Sequence, residues 1–419
     1  FFSVMRALLK CVLALALMIL VMGKDDPVIL KGTRNRATPR GPADERYNEA
    51  TALEEKGKWA EAYEKHKQAY ELYMEMEGWQ KAAAIGSLNN MGSMNQQLGK
   101  PEESVENYKQ AIQMIEEEYS TTGCHEKLEL LDKVAMDAYV NIAKVKSVQQ
   151  DREQLRGILM GAAQILDTRP IEDVEARIDV YGTLAQLKED DEDWDGSLKY
   201  LNKVLPALHK VDASKSEDSS VAKLDSIAKA LTKQGQMYVY LDKCKKALPL
   251  FKKADDMIED NDLPTDEWQV LVYQLTASCV KKDSVKDAYQ YIIKAMEMCP
   301  EDSELRLDLL WETSEIERAL RMRPQAVSNL HTLLVMMEER QRDNDAEYFV
   351  IHEQVAHLEA AMGHYKESKK RFTIALEGYQ KIGGQEDRVA EVRTSLKTLE
   401  QQKHKFVDGG IPGATITRL

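Results

Sequence analysis

Two stretches of the sequence set histidine beside glutamate, the pair that hydrolytic zinc sites use to hold metal and activate water: "HEQVAH" at 352–357, and His125-Glu126. On a helix, ligands four residues apart share a face because they are separated by about 400°, whereas His352 and His357 are five apart, about 500°. The two imidazoles therefore diverge, and His125 lacks a partner histidine at the required spacing. No GxxxxGK[ST] phosphate loop, strand-bounded GxGxxG or GxSxG elbow occurs. No catalytic residue, metal or cofactor is expected, and the chain reads as a non-enzyme.

A second constellation suits recognition. Asn48, Asn90 and Asn141 each stand two residues before a small side chain, Ala50, Gly92 and Ala143, and Thr51, Ser93 and Lys144 follow three residues after each asparagine. Carboxamides both donate and accept hydrogen bonds, so a row of them matches the alternating NH and CO of an extended peptide. Thr183 and Lys233 interrupt the row in the next two equivalent positions.

The elements that must carry this row follow from a repeat. Ala62, His66 and Ala69 are spaced by four and three; the same spacing returns at Ser104, Leu155, Ser197, Ala247, Ala288, Ala326 and Ser368. Twelve residues before each stands another small residue: Ala50, Gly92, Ala143, Ala185, Gly235, Thr276, Ser314 and Ala356. Spacings of four and three define one helical face, and the offset leaves room for a helix to end, turn and restart. Gly57, Gly99 and Gly363 fall in those turns, where a left-handed C-cap favours glycine. Glycine inside a helix costs about 1 kcal/mol relative to alanine, so Gly92 must let another helix approach closely. The pattern predicts about eight antiparallel helix pairs over 43–380, stacked as an all-α solenoid with one continuous core.

This pattern resembles the tetratricopeptide repeat, with its small residues, the aromatics Trp59, Trp194 and Tyr365 before second helices, and Pro300 at a unit's end. The resemblance implies a right-handed superhelix. Intervals such as Ala62 to Ser104, 42 residues, are long for the family, and "LNNMGSMNQQLGKPEESVENYKQAI" is similar to kinesin light chain and related adaptors. That likeness implies peptide-binding asparagines at Asn48, Asn90 and Asn141. Lys229 and Lys233 are similar to half of the clamp that chaperone-binding repeats close on a C-terminal carboxylate. Tyr47 and Thr51 occupy the positions of its other half, which disfavours a chaperone co-factor role. Insertions near 120–130 and 212–222 stretch two intervals, the second as a polar loop. Val389, Val392, Leu396 and Leu399 share one face of a capping helix over 385–406.

Bulk composition agrees with helix: charged residues are 31% and aromatics 7%. A net charge of −14 repels nucleic acid. Five cysteines without a CxxC pair show neither a disulfide framework nor a zinc pattern, and Cys124, Cys244, Cys279 and Cys299 read as plain thiols. Residues 1–23 join Arg6 and Lys10 to an apolar run from Cys11 to Met22, about 18 Å as helix. That fits a signal peptide, with a signal anchor as the alternative. Residues 24–42 form a basic linker or transit segment with Lys31, Arg34, Arg36 and Arg40, and 407–419 a flexible tail ending Thr417-Arg418-Leu419, a pattern that fits a PDZ edge.

The expected function is a protein-interaction scaffold that takes a partner protein or extended peptide on Asn48, Thr51, Asn90, Ser93, Asn141 and Lys144. The alternative is a permanent structural or assembly subunit of an organellar membrane complex. Membrane association would come through the N-terminal segment, by the secretory route or by import into a plastid or mitochondrion. No nucleic acid or small-molecule ligand is expected.

Overall fold

The computed structural model describes residues 41–76, 80–121, 125–148, 151–169, 173–211, 217–261, 263 and 267–408. The signal or anchor, most of the basic linker, the C-terminal tail from residue 409 and Cys124 lie outside the described residues. Among those described, every regular element is an α-helix. Nine precede Leu241: α1 (Pro42–Glu54), α2 (Trp59–Met74), α3 (Gln80–Gln97), α4 (Pro101–Thr121), α5 (His125–Val148), α6 (Arg152–Thr168), α7 (Val174–Asp190), α8 (Trp194–Lys210) and α9 (Glu217–Tyr240). Eight follow: α10 (Cys244–Asp260), α11 (Glu267–Val280), α12 (Val285–Met298), α13 (Leu305–Ala319), α14 (Arg323–Glu339), α15 (Ala346–Ala361), α16 (Tyr365–Ile382) and α17 (Glu386–Asp408). None is long and apolar enough to cross a membrane.

The contacts divide these helices after Leu241 into two compact units. In the first, α1–α2, α3–α4, α5–α6 and α7–α8 pack as consecutive pairs and α9 packs on α8. In the second, α11–α12, α13–α14 and α15–α16 are the pairs, α10 packs on α11, and α17 closes the stack against α16 as the expected cap. The two helices of the expected fifth pair, α9 and α10, thus belong to different units.

The eight small positions of the first helices and the spaced triplets of the second helices are all buried. Close approach explains their size. A Cβ added to Gly92 would lie 2.6 Å from the Tyr108 ring, and one on Gly378 would lie 2.1 Å from Phe349. Each aromatic ring occupies the volume that the missing side chain leaves, at interior packing density.

The turns repeat as well. Gly57, Gly99 and Gly363 have φ of 68°, 71° and 85°, the left-handed C-cap. The same position is left-handed where no glycine stands: Glu192, Asp242 and Arg321 have φ of 60°, 55° and 62°. The backbone bond that closes this cap recurs, from Lys58 N to Leu53 O at 3.0 Å and from Met322 N to Glu317 O at 2.8 Å.

Two expectations are corrected. Residues 217–222 of the supposed polar loop open α9, and 212–216 lie outside the described residues. Residues 217–222 hold no Gly or Pro to interrupt a helix. Cys244 and Cys279 are not plain thiols but a disulfide with Cα atoms 5.3 Å apart. The antiparallel return of α11 along α10 brings together residues 35 apart in sequence, a separation without local signature. Cys299 is a buried free thiol.

Candidate partner-binding face

In a helix pair, the second helix covers one side of the first. The residues two before and one after each buried small position point the other way, about 160° and 100° around the helix. In the first unit α3 and α5 pack directly, as do α5 and α7, so these positions form one continuous face.

Asn48 is exposed there, and the Thr51 hydroxyl donates back to the Tyr47 carbonyl at 3.1 Å. Asn90 is only 3% exposed, and its Nδ2 donates to the Tyr47 hydroxyl at 3.1 Å. Ser93 is half-buried beside the Tyr108 hydroxyl. Asn141 and Lys144 are half-buried on α5. Lys144 acts electrostatically on Asp137 of its own helix and on Asp179 of α7, within salt-bridge distance of neither. The structure therefore joins Asn90 to the first repeat, and groups Asn141 and Lys144 with two aspartates that sequence reading had not singled out.

Beyond α5 the row is tied down. The Thr183 hydroxyl donates to the Asp179 carbonyl at 2.8 Å. Lys233 is 3% exposed, and its Nζ reaches Glu189 and Gln186, both at 2.7 Å. This half of the supposed clamp is engaged in an internal ion pair. Lys229 pairs with Asp225 at 2.9 Å.

The second unit carries its own row at the same register: Gln274 on α11, Glu312 on α13 and Gln354 on α15. Gln274 Nε2 donates to Glu312 Oε1 at 3.3 Å, and the Ser278 hydroxyl lies 3.5 Å from Oε2. Arg318 binds the Gln354 carbonyl oxygen at 2.8 Å and Glu315 at 2.7 Å. Burial pushes the Glu312 carboxyl up to about 7, and burial together with Glu312 does the same to Asp308. The signal that could have found this row was present: each of its residues stands two before Thr276, Ser314 or Ala356.

The divergence of the 352–357 histidines is visible in their partners. His352 is buried and accepts at Nδ1 from Arg371 at 3.2 Å, whereas the exposed His357 lies 3.9 Å from Glu353. Among the described residues no group of three or more His, Cys, Asp or Glu side chains could hold a metal ion. An open hollow of about 490 Å³ lies between α15 and α17, lined by Glu353, His357, Ala390, Glu391, Thr394 and Ser395.

With this geometry in place, comparison with known proteins adds one match: residues 85–121, the whole of α4 and most of α3, fit the family model described as Tetratricopeptide repeat. Over residues 85–121 the chain is similar to a tetratricopeptide repeat. Gly92, Tyr108 and Ala111 of that repeat are the close-packed positions already described. No curated protein matches the chain. Among solved structures, aspartyl phosphate phosphatase F from Bacillus subtilis is similar at 12% identity over 92% of this chain and 100% of that one, with a TM-score of 0.44. A putative kinesin light chain of Podosopora anserina with nearly identical tetratricopeptide-like repeats is 12% identical over 53% of this chain and 97% of that one, TM-score 0.35. The TPR2AB domain of yeast Sti1, solved as a pHSP90 complex, is 15% identical over 78% and 98%, TM-score 0.29.

Proposed function

We propose that this protein is a non-enzymatic interaction scaffold, and that a partner protein or extended peptide lies along the face shared by the first helices. The observation that carries this reading is the state of α5 and α7. Asn141, Lys144 and Asp179 are half-buried and Asp137 buried on one face, and none of their side chains bonds to another described residue. Polar groups in that position keep their hydrogen-bonding capacity for a partner. A rigid stack of helix pairs holds them in place, which lowers the entropic cost of ordering a flexible ligand. Asn48 and Thr51 on α1, with Ser93 on α3, extend the same face, and Asn90 supports it through Tyr47.

The test is site-specific photocrosslinking. A photoreactive residue at position 141 or 144 is expected to capture a partner that one at position 160, on the exposed outer side of α6, does not. Capture from position 160 alone would move the interaction to the outer surface, as a permanent structural subunit requires.

We place the chain on the secretory route. The Cys244–Cys279 disulfide supports this, because such bonds persist in oxidising compartments and are rare in the cytosol. Mass spectrometry of the endogenous protein, alkylated without reductant, would report the two cysteines unmodified; alkylation of both would oppose the assignment.

A further inference from the structure

The charge on the face of α5 and α7 names the chemistry of what docks there. Asp137, Asn141 and Lys144 are spaced by four and three on α5 and so share a side of it; Asp179 has the position on α7 that Asp137 has on α5. Asp137 is 9% exposed, and its Oδ2 is buried with no hydrogen-bond partner among the described residues. Lys133 and Lys144 of its own helix, Asp173 at the start of α7 and the Tyr108 hydroxyl of α4 are the charged and titratable groups that act on it. Asp173 and Lys144 also act on Asp179, together with Glu175.

Three other carboxylates of the shared faces have partners, whereas Asp308, at the same register of α13, bonds to no other described residue. Asp44 accepts from the Tyr73 hydroxyl at 2.6 Å, Glu189 holds Lys233, and Glu312 accepts from Gln274. Asp137 and Asp179 have none, and burial pushes them up to about 7 and about 6. A buried carboxylate without a hydrogen-bonded or ion-paired partner is costly until one arrives.

We propose that Asp137 and Asp179 together hold a lysine or arginine side chain of an extended partner segment, with Asn141 hydrogen-bonding the backbone beside it. This rests on the reading that the shared face is the partner surface. Lys144 then acts as a selector, repelling segments that carry a second cation next to the first.

A random twelve-residue peptide library, selected on the immobilised full chain, tests both statements separately. Selected peptides should carry Lys or Arg at one fixed position. Asp137→Asn, with unchanged helical circular dichroism, should weaken them about tenfold or more, and Asp137→Glu should recover most of the affinity. Replacing the fixed basic residue by norleucine should cause a similar loss on the wild-type chain and little on Asp137→Asn. If peptides are selected that need Asn141 and Lys144 but show no basic preference, or are indifferent to Asp137→Asn and Asp179→Asn, the cationic anchor is wrong and the shared face stands. If selected peptides ignore every substitution on α5 and α7, the face itself is wrong.

Discussion

The Arg371 guanidinium donates to Nδ1 of His352 at 3.2 Å and, through its other nitrogen, to Nε2 of His331 at 3.0 Å. Both ring nitrogens must be acceptors, so both imidazoles are neutral. Burial and then the charge of Arg371 push His352 down to about 3, and burial and Arg371 lower His331. A histidine with a depressed folded value stabilises the fold above its unfolded value of about 6.5, and that stability is lost as pH falls below it.

Asp308 and Glu312 of the same unit act in the opposite sense. Their folded values are raised to about 7, so they favour the fold below about pH 4 and progressively lose that contribution as pH rises to 7. Thermal melts from pH 7 to 5 should therefore show a shallow net slope in the wild type. His352→Gln should remove up to about 2 kcal/mol of the acid-side loss. Glu312→Gln should raise stability at pH 8 and leave it nearly unchanged at pH 4.

Two glycine-to-alanine substitutions should have opposite signs. Gly92→Ala gains about 1 kcal/mol of helix propensity but drives a methyl into the Tyr108 ring, for a net loss of about 1–3 kcal/mol. Gly157 is exposed on α6 with nothing within 4 Å of an added Cβ, so Gly157→Ala should gain about 0.5–1 kcal/mol. Urea midpoints of the two variants decide this.

At the left-handed turn, Arg321 at φ 62° does what Gly57, Gly99 and Gly363 do without a side chain. Arg321→Gly should raise the melting temperature, by relief of about 1 kcal/mol of backbone strain. The same change at Arg323, the first residue of α14, should lower it by removing its hydrogen bond to the Ala361 carbonyl.

In the first pair, His66 fills the slot that Tyr108, Phe251 and Phe372 fill elsewhere, and it bonds the buried Glu54 carboxylate. Glu54→Leu or His66→Leu alone should cost about 3 kcal/mol by stranding the other polar group. The double substitution should restore most of that loss. A double-mutant cycle by chemical denaturation reads the coupling directly.

The helices and their pairing were legible because a solenoid writes its close contacts at fixed intervals: small Ala50 through Ala356 and the triplets beginning at Ala62 are where backbones meet. The capping helix could be read for the same reason, from Val392 and Leu399. The Cys244–Cys279 bond could not, since it depends on two helices returning antiparallel and not on spacing. Nor could the fate of Asn90, because only the fold shows that Tyr47, 43 residues earlier, reaches it. Asp137 and Asp179 stood six residues before small positions, and their lack of a hydrogen-bonded or ion-paired partner becomes visible only once α4, α5 and α7 are packed.

The disulfide between α10 and α11 also sets how the second unit answers a pull. Force applied along the chain passes through the sulfur atoms and bypasses the residues between them. The 35-residue separation between its cysteines thus withholds about 120 Å of contour from any stretching experiment until the bond is reduced. A single molecule drawn between its ends should unfold with a contour increment shorter by that length, and recover it after a reductant is added.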